Sequence, residues 1–74
     1  MIMPPQNSIA IRVNGEQKEI ATGLNVTALL AQLGLNAGRV AVEYNRSILP
    51  RAKWAETMVA AGDQFEIVQF VGGG

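Results

Sequence analysis

Two strand-like segments joined by Asn14-Gly15 constrain the fold of this chain more than any other feature. Residues 8–13 carry an apolar side chain at every second position, which is typical of a half-buried β-strand. Asparagine and glycine both tolerate positive φ, so the pair favours a type I′ hairpin turn. The return strand, residues 16–21, is mostly polar and is predicted to lie at a sheet edge, with Ile20 as its inward anchor.

The period of the apolar residues changes after this hairpin. Four apolar residues are spaced i, i+3, i+4 and i+7, as on one face of an α-helix: Val26, Leu29, Leu30 and Leu33. Asn25 is a suitable N-cap, and Gly34 stands where a residue in the left-handed conformation would close the helix. The pattern predicts a helix of about ten residues, which needs packing against a sheet to persist.

The remaining segments complete the pattern of one helix and several strands. They are an alternating strand at 39–45, a short strand at 47–49, a helical turn at 51–56, a turn at Gly62-Asp63 and an alternating last strand at 64–71. One helix packed across a mixed sheet of four or five strands would bury the apolar faces of both the helix and the sheet. The first and last strands would be central and parallel. This is an α+β fold of the β-grasp, or ubiquitin-like, architecture.

Composition excludes several classes of function. The 74 residues are enough for one domain and include neither cysteine nor histidine, so a zinc site and a Ser-His or Cys-His nucleophile are excluded. We expect no metal and no bound cofactor, and we expect that the chain is not an enzyme by itself. The net charge is zero, which argues against nucleic-acid binding. The loosely grouped basic residues are interspersed with acidic ones: Arg39, Arg46, Arg51 and Lys53, with Glu43 and Glu56.

The two ends of the sequence indicate the location of the protein and the bounds of its domain. The start lacks the charged and apolar regions of a secretory signal, and no apolar run is long enough for a membrane span, so a cytoplasmic location without membrane contact is expected. Pro4 and Pro5 forbid regular structure nearby. We therefore predict a mobile extension at 1–7, a β-grasp domain at 8–71 and a flexible glycine tail at 72–74.

The three terminal glycines indicate a possible chemistry. Gly72, Gly73 and Gly74 have no Cβ and can thread a channel too narrow for other residues, and the only reactive group they deliver is the α-carboxylate of Gly74. A carboxylate accepts nucleophiles poorly, but an acyl-adenylate made with ATP has a good leaving group that a sulfur nucleophile can displace. This chemistry needs no histidine, cysteine or metal from the carrier. A frayed terminus is the alternative interpretation.

The last strand has large apolar residues on both faces. If Phe65 and Ile67 face the helix, Val68 and Phe70 point to the outer face of the sheet. The outer pair would form a partner-binding patch beside the tail, or residues 51–56 would cover it; the pattern leaves both open. Trp54 is predicted to fill core space. Arg51 either binds a backbone carbonyl or carboxylate locally or is solvated.

Several stretches together resemble the ThiS family, the sulfur carrier proteins of thiamine thiazole synthesis. The C-terminal stretch "GDQFEIVQFVGGG" matches the family pattern of Gly-Asp, Glu-Ile-Val and Phe-Val-Gly-Gly, and "N…I.PR..W" recurs from Asn45 to Trp54. "VNG" and "VTALLAQLGL" agree as well. The resemblance covers residues 9–74, with Arg46-Ser47 in place of a commoner Gly-Glu.

The resemblance implies a protein substrate and not a catalyst. A ubiquitin-activating-type adenylyltransferase would adenylate Gly74 with ATP, and persulfide sulfur from a cysteine desulfurase would convert it to a thiocarboxylate. Thiazole synthase would then take the sulfur. Val68, Phe70 and Val71 would help to dock both enzymes. Three alternatives remain: the small subunit of molybdopterin synthase, a ubiquitin-like modifier of protein lysines, and an interaction or RNA-binding module with an irrelevant tail.

Overall fold

The predicted hairpin is present in the computed structural model, which describes residues 7–70. Asn14 and Gly15 have φ of 52° and 83°, as a type I′ turn requires. Strand β1, Ser8–Val13, pairs antiparallel with β2, Glu16–Ala21, which is an edge strand with Ile20 buried. The predicted hairpin and its edge position are therefore confirmed.

The helix α1 spans Val26–Gln32 and is shorter than the predicted ten residues. The Asn25 side chain caps its start by accepting a hydrogen bond from the Ala28 amide at 2.8 Å. At its end, Gly34 has φ of 77° and donates to the Ala31 carbonyl, while Leu35 donates to that of Leu30. These two bonds form a Schellman motif, which ends the helix at once because its last carbonyls are satisfied.

The sheet has five strands in the order β2-β1-β5-β3-β4, in which β3 is Val40–Tyr44, β4 is Ser47–Ile48 and β5 is Gln64–Gln69. The pair β1–β5 is parallel and the other pairs are antiparallel. The first and last strands thus lie inside the sheet and run parallel, as expected. With one main helix on the sheet, this is the predicted α+β, β-grasp fold.

The core lies between α1 and one face of the sheet. Its buried apolar residues come from every main element: Ile11, Val13, Ile20, Val26, Leu29, Leu30, Val40, Val42, Trp54, Val59, Phe65 and Ile67. Their alternation in β1, β3 and β5 leaves the other face of the sheet to solvent. That exposed surface is called the outer face below.

The segment Arg51–Glu56 is a 3₁₀ helix packed on the same side as α1. Trp54 is buried in the core, as predicted, and its indole N–H donates to the Leu49 carbonyl at 3.0 Å. The Arg51 guanidinium lies 4.5 Å from the Trp54 ring centre and donates to the carbonyls of Ala37 and Val40. Arg51 therefore binds backbone carbonyls and joins this segment to the start of β3.

A second two-residue turn, between β3 and β4, carries backbone strain at Arg46. Asn45 and Arg46 have φ of 49° and 74°, so both occupy the left-handed region. Asparagine adopts this region readily, whereas for a residue such as arginine the left-handed conformation costs about 1–2 kcal/mol. Glycine would adopt this conformation without that cost.

We expect Arg46→Gly to raise the free energy of unfolding by about 0.5–1 kcal/mol, since the strain relieved exceeds the added flexibility of the unfolded chain. Urea unfolding followed by the fluorescence of the single tryptophan measures this. Ser47→Gly, one residue later in β4, is the control and should destabilise, because glycine weakens a strand. Equal effects of the two changes would contradict the prediction.

Candidate protein-docking site

The last strand, β5, places two large apolar side chains on the outer face. Phe65 and Ile67 are buried beneath α1, and the alternation of the strand directs Val68 and Phe70 the other way. The Phe70 amide donates to the Arg39 carbonyl at 2.7 Å, so pairing with the segment before β3 continues one residue beyond the strand. Both outer residues therefore stand at the point where the chain approaches its glycines.

Nothing in residues 7–70 covers this pair. Val68 is 62% exposed and Phe70 is 54% exposed. Residues 51–56 pack against α1 on the opposite side of the sheet, where Trp54 is 4% exposed. The alternative in which these residues shield Val68 and Phe70 is thus wrong, because the indole is drawn into the core.

The two exposed residues belong to a larger apolar surface. Ala41 lies directly opposite Val68 in the β3–β5 register, and Ile48, on β4, is 77% exposed. Ala41, Ile48 and Val68 line a shallow depression of about 90 Å³. We call Ala41, Ile48, Val68 and Phe70 the outer patch. Full burial of a Val, Ile or Phe side chain contributes about 1.5–3 kcal/mol, which makes the outer patch suited to a protein partner.

The C-terminal half of β5 is held in place by the side chain of Asn14. Its amide accepts from the Ile67 N–H at 2.7 Å and donates to the Ile67 carbonyl at 3.1 Å. The Asn14 backbone N–H also donates to the Phe65 carbonyl at 2.8 Å. β1 ends at Val13, so this side chain continues the parallel ladder after the backbone has turned away. The turn residue therefore fixes the strand from which the tail leaves.

The N-terminal end of β5 is held by the other turn asparagine. The Asn45 side chain accepts from the Gln64 N–H at 2.8 Å and donates to the Asp63 carboxylate at 3.3 Å. Asp63 is buried, and its other oxygen accepts from the Ala60 N–H at 2.8 Å. Both ends of β5 are thus fixed by amide side chains of the two type I′ turns.

Tyr44, at the end of β3, has a pKa that its burial near Asp63 shifts. Its ring centre lies 5.3 Å from that of Phe65. Burial raises the pKa of the Tyr44 hydroxyl above its ordinary value of 10.0, and the charge of Asp63 and a hydrogen bond to it raise the pKa further. The folded protein therefore keeps this tyrosine protonated at a pH where the unfolded chain would ionise it.

This difference predicts a loss of stability in alkali. The contribution of Tyr44 to the free energy of unfolding is fully present below the pKa of the unfolded chain, near 10. It is lost as pH rises through the higher pKa of the folded protein, because the unfolded state then binds fewer protons than the folded state. Phenolate absorbance reports Tyr44 alone, since it is the only tyrosine. Tyr44→Phe should flatten the alkaline fall in urea stability relative to the unmodified chain. Identical alkaline profiles for the two proteins would contradict the assignment.

Other features of residues 7–70 offer little to a small ligand. A depression of about 320 Å³ crosses the outer face near Arg12, Gln17 and Gln64, but its polar side chains are all exposed. Within these residues there is no group of three or more acidic side chains placed to bind a metal ion. None of the helices described is long and apolar enough to span a membrane.

Of the predicted site residues, the structure brings Val68 and Phe70 together on the outer face. Val71, Gly72, Gly73 and Gly74 lie outside the described residues, so the attachment and tail predictions stay predictions. The sequence pattern did not mark Ala41 and Ile48 as members of the outer patch, and for Asn14 it indicated only a turn. The alternation of β3 marks Ala41 as outward-facing, but only the strand register shows that it adjoins Val68.

Within residues 7–70, the order of strands, the parallel central pair and the one main helix define a β-grasp protein with an exposed apolar patch that includes Phe70. A solved structure of a protein designed on the template of human erythrocytic ubiquitin has the same fold, with a TM-score of 0.50 over 93% of this chain and 98% of that one. Sequence identity is 14%, so this likeness shows the ubiquitin-like fold alone.

The chain belongs to the ThiS family, whose model matches residues 11–74. The crystal structure of the thiamine biosynthesis protein ThiS from Geobacter metallireducens has a TM-score of 0.77 and 39% identity, covering 89% of this chain and all of that one. The sulfur carrier protein ThiS of Escherichia coli is 36% identical over 64 residues, which are 86% of this chain and 97% of that protein. The resemblance to this family is therefore confirmed.

A longer relative places a similar segment within another protein. The thiazole synthase of Paramagnetospirillum magneticum is 44% identical over 62 residues, which are 84% of this chain. This chain spans only 19% of the length of that protein.

Proposed function

We propose that this chain is a sulfur carrier for thiazole formation in thiamine biosynthesis. The observation that carries the proposal is the family match, which runs through residue 74 and so includes the three glycines. The E. coli relative, named a sulfur carrier protein, aligns over almost its whole length, which supports the same role.

The chemistry takes place on the carboxylate of Gly74. A ubiquitin-activating-type enzyme joins it to the AMP part of ATP and releases pyrophosphate, and a persulfide sulfur supplied through a cysteine desulfurase then displaces AMP. After reduction of the resulting acyl disulfide by a thiol, Gly74 carries a thiocarboxylate. The carrier supplies position and access, and the enzymes supply catalysis, the nucleotide and the sulfur. No cofactor is bound by the carrier itself.

The outer patch gives this carrier a surface on which an enzyme can align the tail. Val68 and Phe70 are exposed immediately before the tail, and Val71 is the third residue that we assign to docking. The two asparagine contacts hold β5 at a fixed register beneath this surface. An enzyme that covers the outer patch would thus receive the tail in a defined direction. The thiazole synthase of P. magneticum, which contains a segment similar to this chain, favours thiazole synthase as the acceptor.

Intact-mass measurement tests the function. The chain is incubated with ATP, the matching activating enzyme, a cysteine desulfurase and cysteine, and a mass gain equal to exchanging one oxygen for one sulfur, located on Gly74 by fragmentation, is expected. Thiazole formation with thiazole synthase separates this role from molybdopterin synthesis. Lysine-linked conjugates on a gel would indicate a protein modifier. An unchanged mass, with the activating enzyme proven active on another carrier, would overturn the proposal.

A further inference from the structure

Two glutamates of the outer face stand directly opposite each other beside the outer patch. Glu43 on β3 and Glu66 on β5 are cross-strand partners, and both side chains are exposed. Partners of this kind have Cβ atoms about 4.5–5.5 Å apart, and like charges in such a pair are destabilising. Within residues 7–70, neither carboxylate makes an ion pair or a hydrogen bond that would offset the repulsion.

The pair is continuous with the outer patch. Ile48 is the other neighbour of Glu43 in the register, so Glu66, Glu43 and Ile48 form one row across three strands. Val68 and Ala41 form the next row towards the tail. Both carboxylates and these apolar residues line the same shallow depression of about 90 Å³. Apolar area and unpaired negative charge are therefore presented together on one small surface.

We propose that thiazole synthase docks on this surface with a basic side chain, arginine or lysine, between the carboxylates of Glu43 and Glu66. The inference rests on the proposed function and adds the chemistry by which the partner is recognised. A cation there removes the repulsion between the strands in the complex, and the apolar residues beside it exclude water and strengthen the contact. Phe70 stands four positions after Glu66 along the chain, so the basic group binds about 13 Å from Phe70, at about 3.3 Å per residue.

Replacing both glutamates with glutamine tests the inference. We expect the double variant Glu43→Gln with Glu66→Gln to bind thiazole synthase with a Kd raised about tenfold or more, measured by calorimetry. The affinity of the unmodified chain should fall as salt is added, and that of the double variant should respond much less. Replacing both with lysine should weaken binding further, because two charges then repel the basic group.

The matched control is Glu16→Gln with Glu56→Gln, which changes net charge equally but lies away from the outer patch, on β2 and in the 3₁₀ helix. Its Kd should equal that of the unmodified chain. Thermal unfolding separates binding from folding: the Glu43/Glu66 variant should be at least as stable as the unmodified chain, because a repulsive pair has been removed.

The outcomes distinguish this inference from the function on which it rests. Equal Kd values for both double variants, with the unmodified chain binding the synthase, would overturn the cation contact and leave the carrier function intact. Equal losses of affinity in both double variants would show a general effect of net charge and would also overturn the cation contact. The same holds if the Glu43/Glu66 variant changes the self-association of the chain and leaves its binding to the synthase unchanged. Failure of the unmodified chain to acquire sulfur or to bind the synthase would overturn the proposed function itself.

Discussion

A chain that ends at Gly72 should fold normally and acquire no sulfur. Among residues 7–70, every buried core residue lies between Ile11 and Ile67, so we expect this core to form without Gly73 and Gly74. The remaining terminal carboxylate lies two residues nearer the sheet, which shortens the reach of the tail by about 7 Å. Because adenylation needs the reacting atoms within about 3–3.5 Å of each other, we expect sulfur loading to fall below detection.

Intact mass after the loading reaction measures this prediction, and tryptophan fluorescence in urea shows that the truncated domain is folded. A variant with alanine at positions 73 and 74 is the matched control for length. It should reach the active site but load slowly, since each Cβ must enter a channel that fits glycine. Normal loading of the truncated chain would show that tail length is not the requirement.

Loss of the Asn14 side chain should be the most damaging single change at a surface turn. Asn14→Gly keeps the positive φ but removes both hydrogen bonds to Ile67, which should cost about 2–3 kcal/mol of unfolding free energy. Asn14→Ala removes the same bonds and adds a side chain that disfavours φ of 52°, for about 1–2 kcal/mol more. A domain of this length has only about 4–11 kcal/mol in total, so the alanine variant should be marginally stable.

Urea unfolding of the three proteins checks this order, with Trp54 as the single tryptophan probe. The difference between the glycine and alanine variants isolates the backbone strain, and the difference between glycine and asparagine isolates the side-chain bonds. A glycine variant within 0.5 kcal/mol of the unmodified chain, about the usual size of a surface effect, would mean that the Asn14 bonds do not hold β5.

Local patterns predicted much of the fold because they arise from interactions within a few residues. The positive φ at Asn14 and Gly15, the N-cap at Asn25 and the closure at Gly34 all follow from the preferences of those residue types. The length of α1 was overestimated because the apolar stripe includes Leu33, whereas the Schellman bonds of Gly34 and Leu35 end the helix at Gln32. Periodicity indicates which face is buried more reliably than it indicates the last residue.

The candidate site was predictable only in part. Val68 and Phe70 could be assigned to the outer face from alternation, but whether residues 51–56 covered them could not. The position of residues 51–56 depends on where the Trp54 side chain is buried, and this is decided only when the core has assembled. Ile48 shares the outer face with Val68 because the strand register pairs it with Glu43, which lies on that face of β3.

By itself, the sequence determined the hairpin, the helix, the alternating strands, the absence of cysteine and histidine, and the glycine tail, since each depends on residue type and local spacing. Tertiary structure alone decided which strands are neighbours. The register of β3 against β5 brought Glu43 to Glu66 and Ala41 to Val68, and the end of β1 brought the Asn14 amide to Ile67. These residues are far apart in the chain, and their contacts exist only after the core has aligned the strands.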